Sequence, residues 1–198
     1  ASLPLPAAIT AKEPVIFASV GRLASVKNQA LLLRAFALLL QQDASLSQRC
    51  VLVLVGDGPC REQLTQLSEQ LQLQHNVLFT GNRDDVAALM HSFSVFVLPS
   101  LAEGISNTLL EAMAAGTPVI ATNVGGNADL LPQPLLARNL VPSNDSQALM
   151  QAMAQYVQQP ELLKTDAVLV KNHCLAHFSL ATMVNRYRKL YEMTRMQT

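Results

Sequence analysis

The sequence predicts an α/β fold in which the strands of a parallel sheet alternate with helices. Short apolar runs rich in valine and leucine, such as residues 50–55 (CVLVLV) and 95–98 (VFVL), recur between longer amphipathic segments. Strands without polar alternation are typical of parallel sheets that are covered on both faces, and strands that alternate with helices imply right-handed crossovers. We therefore expect a Rossmann-like, doubly wound parallel sheet of about six strands with helices on both faces.

The order of the elements follows from the apolar periodicity and from the turn residues between the runs. The predicted strands are 14–20, 50–55, 76–80, 94–98, 117–121 and a short strand near 138–141. The predicted helices are 27–41, 59–72, 84–91, 106–115, 145–157, 160–175 and 180–194. Helix 27–41 carries leucine on nearly every side, which predicts a deeply buried core helix, with contact to a further domain as the alternative.

Length and composition indicate one domain without a nucleic-acid face. A chain of 198 residues can bury about 70% of the surface that its unfolded form exposes. Its formal net charge is zero, and it has no tryptophan and only three tyrosines, whereas nucleic-acid binding favours clustered basic residues or aromatic side chains on which bases stack. Residues 1–13, which include Pro4 and Pro6, predict a linker that leads into a single domain over 14–198.

The cysteines indicate a reducing compartment, and hence a cytoplasmic protein. Cys50, Cys60 and Cys174 form no CxxC motif and cannot all pair with one another. No segment reaches the roughly 18 apolar residues of a membrane span. His173 and His177 could share a helix face, but no third ligand lies nearby in the sequence, so no metal site is expected.

The GDGP segment at 56–59 admits two interpretations. A glycine-rich turn after a strand can approach a pyrophosphate, but this turn follows the second predicted strand and lacks a third glycine. We favour Gly56 and Gly58 as turn formers, with Pro59 at the start of the next helix.

Two glutamates, Glu103 and Glu111, stand out between a predicted strand and the helix that follows it. Glu103 comes shortly after the apolar run that ends at Pro99, and the carboxyl ends of parallel strands are where open α/β sheets bind ligands. Gly104 permits a tight exit, and Ser106 or Asn107 can cap the helix that carries Glu111. One carboxylate could then reach sugar hydroxyls while the other, a turn into the helix, reaches a ribose. Taken without the residues around them, both are better explained as ordinary exposed carboxylates.

A diphosphate could be neutralised by Arg22 and Lys27, which follow the first predicted strand. Charge-assisted hydrogen bonds from both side chains suit phosphate oxygens, and the free amides at the start of helix 106–115 add partial positive charge. Without the glutamate motif, the two side chains could instead be solvated loop charges.

In this order and spacing, the motifs resemble the carboxyl-terminal, donor-binding domain of the GT-B retaining glycosyltransferases of family 4. Within that family they are most similar to bacterial sugar transferases of exopolysaccharide assembly. The segments that carry the resemblance are GRLASVK at 21–27, LVGDGP at 54–59, FTGNRDDV at 79–86, LPSLAEGISNTLLEAMAAGTPVIAT at 98–122 and GGNAD at 125–129.

The resemblance implies a role for each matching position. Arg22 and Lys27, with Gly21 before them, would hold the donor diphosphate; Glu103 would contact hydroxyls of the donor sugar, and Glu111 would bind the ribose. The segment after Glu103 would line the sugar and phosphates; its residues are Gly104, Ile105, Ser106, Asn107 and Thr108. The loop after the third strand would lie near the base; its residues are Gly81, Asn82 and Arg83. Asp129 stands where the family usually has glutamate, so its role is left open.

The resemblance further implies the donor half of an enzyme that transfers a sugar from a nucleotide-diphosphate sugar with retention of configuration. UDP is the default base, and no metal or other cofactor is required. The acceptor, a glycan or a lipid-linked molecule, would bind an amino-terminal domain that has no counterpart in this chain. The chain alone should bind nucleotide but turn over little, and the whole enzyme could associate peripherally with the cytoplasmic face of a membrane.

Two alternatives come from other functional classes. A non-catalytic interaction module could retain the fold, although the loss of a site residue would then be expected. A nicotinamide-binding dehydrogenase domain would need GxGxxG after the first strand, where this chain has GRLASVK.

Overall fold

The computed structural model describes residues 3–179 and residue 182. Apart from Thr182, the helix predicted over 180–194 lies outside the described residues. No helix among those described is both long and apolar enough to cross a lipid bilayer.

A six-stranded parallel sheet forms the centre of the molecule, in the order β3-β2-β1-β4-β5-β6. The order runs outward in both directions from β1, as in a classical doubly wound sheet, and the predicted fold class is confirmed. The strands are β1 (Val15–Val20), β2 (Cys50–Val55), β3 (Val77–Gly81), β4 (Val95–Leu98), β5 (Val119–Thr122) and β6 (Leu140–Val141).

Eight helices connect or follow these strands in the described part of the chain. They are α1 (Gln29–Gln42), α2 (Arg61–Gln70), α3 (Val86–Met90), α4 (Asn107–Ala115), α5 (Asn127–Leu130), α6 (Gln133–Asn139), α7 (Ser146–Gln158) and α8 (Glu161–Phe178), with short 3-10 turns at Ser25–Lys27 and Ala44–Gln48. The sequence predicted neither α5 nor α6, both of which are short.

Helices α1, α2 and α3 each start two residues later than predicted, and for α1 and α2 the preceding turn is longer than expected. The 3-10 turn Ser25–Lys27 ends at Asn28, whose φ of 48° is left-handed, so α1 begins at Gln29 rather than at Lys27. Pro59 was predicted at the start of the second helix. It lies instead in the turn before Cys60, the residue that precedes α2.

Each face of the sheet carries its own apolar core. On one face, Phe17 and Leu52 pack with Phe36 of α1 and with residues of α2 and α7. On the other face, Ala18 packs with Leu109 of α4 and with residues of α3 and α8. Side chains of adjacent strand residues point to opposite faces, so each largely apolar strand contributes side chains to both cores. Helix α1 contacts α7, and four of its leucines, Leu31, Leu32, Leu33 and Leu39, are buried, while Leu38 and Leu40 are half-buried. This confirms the buried-core prediction.

The opening residues lie against this domain. Leu3, Leu5 and Ile9 pack on the second core, and the amides of Thr10 and Ala11 donate to the carbonyl oxygen of Gln48 at 3.1 and 3.2 Å. The division into a linker over 1–13 and a domain from 14 onward stays a prediction.

All three cysteines are free thiols: Cys50 and Cys174 are buried, and Cys60 is half-buried. Burial raises the pKa of Cys50 to about 11, so this thiol stays protonated at neutral pH and acts as part of the core.

Candidate functional site

The loops that follow β1 and β4 meet in the middle of the sheet. These strands are neighbours at the point where the strand order reverses, which is where open α/β sheets form their ligand crevice. The amide of Leu101 in the second loop donates to the carbonyl oxygen of Val26 in the first at 2.8 Å. Beside this contact, the Lys27 ammonium donates to Oε1 of Glu103 at 2.7 Å. The structure therefore brings together two predicted site residues that are 76 positions apart.

Glu103 accepts a second hydrogen bond, from Ser100, which was not among the predicted site residues. The hydroxyl of Ser100 donates to the same oxygen, Oε1, at 2.6 Å, and Ser100 itself is completely buried. The other carboxylate oxygen, Oε2, accepts no hydrogen bond within residues 3–179. It is not among the fully buried atoms, and the Glu103 side chain as a whole is 9% exposed. The signal in the sequence was a serine just after a strand and three residues before the glutamate.

The loop after β5 supports the Glu103 segment from behind. Gly125 has a left-handed φ of 53°, and a Cβ there would lie 1.8 Å from the carbonyl oxygen of Glu103. The amide of Gly126 donates to the carbonyl oxygen of Gly104 at 3.0 Å. The glycines of the GGNAD motif are thus required by close contact between two loops, and they place the loop that carries Glu103.

Helix α4 starts directly after this segment. As predicted, Ser106 caps the helix, because its hydroxyl accepts from the amide of Leu109 at 3.3 Å. Asn107 and Thr108 form the first turn, whose amides lack partners within the helix. Ile105 is 70% exposed, and Glu111 is exposed one turn further along the helix.

The loop after β1 is fixed by its contact with the GDGP turn. The amide of Leu23 donates to the carbonyl oxygen of Asp57 at 3.0 Å. Gly56 has φ of 128°, and a Cβ there would lie 2.1 Å from the carbonyl oxygen of Gly21. This close approach accounts for the glycine as a turn former. Arg22 follows Gly21, and its side chain is exposed.

The predicted base loop lies at an outer strand of the sheet. Gly81, Asn82 and Arg83 follow β3, which is separated from β1 by β2. An open cavity of about 590 Å³ is lined by Thr80, Asn82, Arg83 and Asp84. The guanidinium of Arg83 donates through Nε and Nη2 to the two carboxylate oxygens of Asp85, at 2.6 and 2.7 Å. This pairing lowers the pKa of Asp85. It does not involve the side chain of Asn82.

Metal-binding groups are sparse in the described part of the chain, where no cluster of three or more His, Cys, Asp or Glu residues could hold an ion. His173 and His177 lie with ring centroids 4.6 Å apart on α8. Burial and the neighbouring His177 lower the pKa of His173. Asp129 is exposed in α5, and its role stays open.

The sequence model of the family described as "Glycosyl transferases group 1" matches residues 6–172. The chain belongs to this family. The assignment removes the dehydrogenase alternative. This group 1 glycosyl transferase chain is 39% identical over 113 residues to the glycosyltransferase EpsF of Bacillus subtilis, covering 57% of the chain and 28% of EpsF. It is 29% identical over 177 residues to an Escherichia coli UDP-Gal:alpha-D-GlcNAc-diphosphoundecaprenol alpha-1,3-galactosyltransferase, covering 89% of the chain and 45% of that enzyme.

The fold is also found among solved structures. The chain superposes on the Anabaena protein HepE, crystallised in complex with UDP, with a TM-score of 0.79 and 23% identity, covering 91% of the chain and 49% of HepE. The group 1 glycosyl transferase chain therefore spans less than half the length of each of these three proteins.

Proposed function

We propose that this chain is the donor-binding half of a glycosyltransferase that uses a nucleotide-diphosphate sugar, with UDP as the nucleotide. The observation that carries the proposal is the Lys27–Glu103 pair at the switch point of the sheet. It sets a cation suited to phosphate beside a carboxylate suited to sugar hydroxyls. Support for UDP comes from the galactosyltransferase and HepE, whose descriptions name UDP-Gal and UDP.

The diphosphate is proposed to be held by Lys27, Arg22 and the first amides of α4. A lysine ammonium has three N–H donors. Lys27 uses one of them in its hydrogen bond to Glu103, so two are left for phosphate oxygens. Arg22 is exposed on the same loop and adds a planar guanidinium. As the bond to the sugar breaks, negative charge grows on the diphosphate, and these fixed donors stabilise it without a metal.

Glu103 is proposed to orient the donor sugar through Oε2, the oxygen that accepts no hydrogen bond from residues 3–179. In this role it is not a covalent nucleophile. Retention would follow if the leaving phosphate helps to deprotonate the acceptor on the face from which it departs. Loss of such positioning slows a reaction strongly even when binding survives.

The remaining predicted residues complete the donor site. Glu111 is proposed to bind the ribose, and the residues around the cavity beyond β3 are proposed to lie near the base. The segment after Glu103, from Gly104 to Thr108, would line the sugar and the phosphates. The acceptor, a glycan or a lipid-linked molecule, would be held by another part of the whole protein, at the cytoplasmic face of a membrane in the lipid-linked case. On this view the chain alone binds nucleotide and transfers little sugar.

Calorimetric titration with UDP, GDP, ADP and NAD tests this proposal. We expect selective binding of UDP, with about tenfold weaker binding by each of Arg22→Ala and Glu111→Ala, because each loses a hydrogen bond to a charged group. Lys164→Ala, an exposed lysine on α8, is the matched control and should bind like the unchanged chain. Equal binding by all variants would contradict the site, and no binding by a folded sample would favour a non-catalytic module.

A further inference from the structure

Two donors from different loops converge on one oxygen of Glu103. The Lys27 ammonium comes from the loop after β1 and the Ser100 hydroxyl from the loop after β4; both end on Oε1, at 2.7 and 2.6 Å. Because both bonds are made to Oε1, Oε2 is the carboxylate oxygen that is left without a protein donor in the described part of the chain. The terminal torsion of a glutamate is otherwise broadly distributed, so its orientation here depends on these donors.

Of the two donors, Ser100 is the more rigid. It is completely buried, and its carbonyl oxygen accepts from the hydroxyl of Thr122 at 2.6 Å. The side-chain amide of Asn127 in turn donates to the carbonyl oxygen of Thr122 at 3.0 Å. Lys27 contributes a compact charge on a flexible stem, which attracts the carboxylate without fixing its plane.

We propose that Ser100 is a positioning residue for donor-sugar recognition, because its hydroxyl sets the carboxylate plane of Glu103 and so the direction in which Oε2 faces. The inference rests on the proposed function, since it takes Glu103 to be the group that meets the sugar. It separates recognition of the sugar from most of the recognition of the diphosphate, because Arg22 and the amides of α4 lie outside the Ser100 contact. Lys27 shares Oε1 with Ser100 but makes its own hydrogen bond to it.

The test compares dissociation constants for UDP and for a UDP-sugar. Calorimetry on the 198-residue chain with UDP, UDP-glucose, UDP-galactose and UDP-N-acetylglucosamine first identifies the UDP-sugar that binds best. Ser100→Ala is then expected to raise the ratio of the UDP-sugar constant to the UDP constant about tenfold, as for a lost hydrogen bond to a charged group. The UDP constant itself should change less than about twofold.

Two further variants keep the result interpretable. Ser100→Cys retains the size of the side chain and replaces a strong donor by a weak one, so it should raise the same ratio even if the alanine variant fails to fold. Ser68→Ala, at a buried serine of α2, should leave the ratio unchanged.

Several outcomes would overturn the inference. An unchanged ratio, or an equal weakening of UDP and UDP-sugar binding, would reduce Ser100 to a structural role. If UDP binds and none of the three UDP-sugars does, sugar recognition through Glu103 is wrong while nucleotide binding stands. If the unchanged chain binds no nucleotide at all, the proposed function fails, and the inference fails with it.

Discussion

Gly125→Ala is expected to lower the free energy of unfolding by about 3 kcal/mol, because this position has no room for a side chain. The new Cβ would lie 1.8 Å from the carbonyl oxygen of Glu103 and 2.7 Å from its carbonyl carbon, both of them backbone atoms. An alanine in the left-handed region, where Gly125 lies at φ of 53°, adds about 1 kcal/mol of strain. The Glu103 loop would have to move, so donor binding should weaken as well.

Urea denaturation of the unchanged chain and of the Gly125→Ala variant measures this difference in the free energy of unfolding. Gly104→Ala is the matched control, since a Cβ at Gly104 meets no atom within 4 Å, and its free energy of unfolding should stay within about 0.5 kcal/mol of the original. If Gly125→Ala is as stable as the control, the contact between the loops after β4 and β5 is not close in solution.

Asp166→Ala is expected to cost about 2 to 3 kcal/mol, because Asp166 accepts two hydrogen bonds in the interior. Its side chain is 3% exposed and accepts from Nη2 of Arg138 at 2.5 Å and from the hydroxyl of Tyr156 at 2.6 Å. Burial and the hydrogen bond to Asp166 raise the pKa of Tyr156, so this hydroxyl stays protonated and needs an acceptor. Removing the carboxylate leaves the Tyr156 hydroxyl without its acceptor and Arg138 with only long contacts to Asn139 and Tyr156, at 3.4 and 3.5 Å. Breaking a buried ion pair typically costs about 3 kcal/mol or more. Arg138 is 28% exposed, and its partial solvation reduces this cost.

A double-mutant cycle separates this interaction from the loss of the side chain. Thermal or urea unfolding of Asp166→Ala, Tyr156→Phe and the double variant should show a coupling of about 1 kcal/mol. Asp84→Ala, at an exposed aspartate, is the control for removing a carboxylate. If Asp166→Ala is no less stable than that control, the buried network does not hold α8 to the domain.

The strands were predictable because each consists mainly of apolar residues, which both cores require. Helix α4 was predictable because Ser106 and the residues after it form a local cap. Helices α5 and α6 were missed, since their ends depend on distant contacts. The side-chain amide of Asn139, at the end of α6, donates to the carbonyl oxygen of Val119 at 2.8 Å. No local sequence pattern predicts this contact.

The sequence by itself determined the fold class, the loops that follow the carboxyl ends of the strands, and the candidate residues Lys27 and Glu103. Apolar runs, turns and motif spacing are local properties of the chain. Only the tertiary structure decided that Lys27 and Ser100 share one oxygen of Glu103, and that Gly125 packs against the carbonyl of that residue. These contacts join the loops after β1, β4 and β5, and their geometry depends on strand order and loop path. A linear pattern can place a residue at the end of a strand, but the direction in which its side chain is held is set by neighbours from other loops.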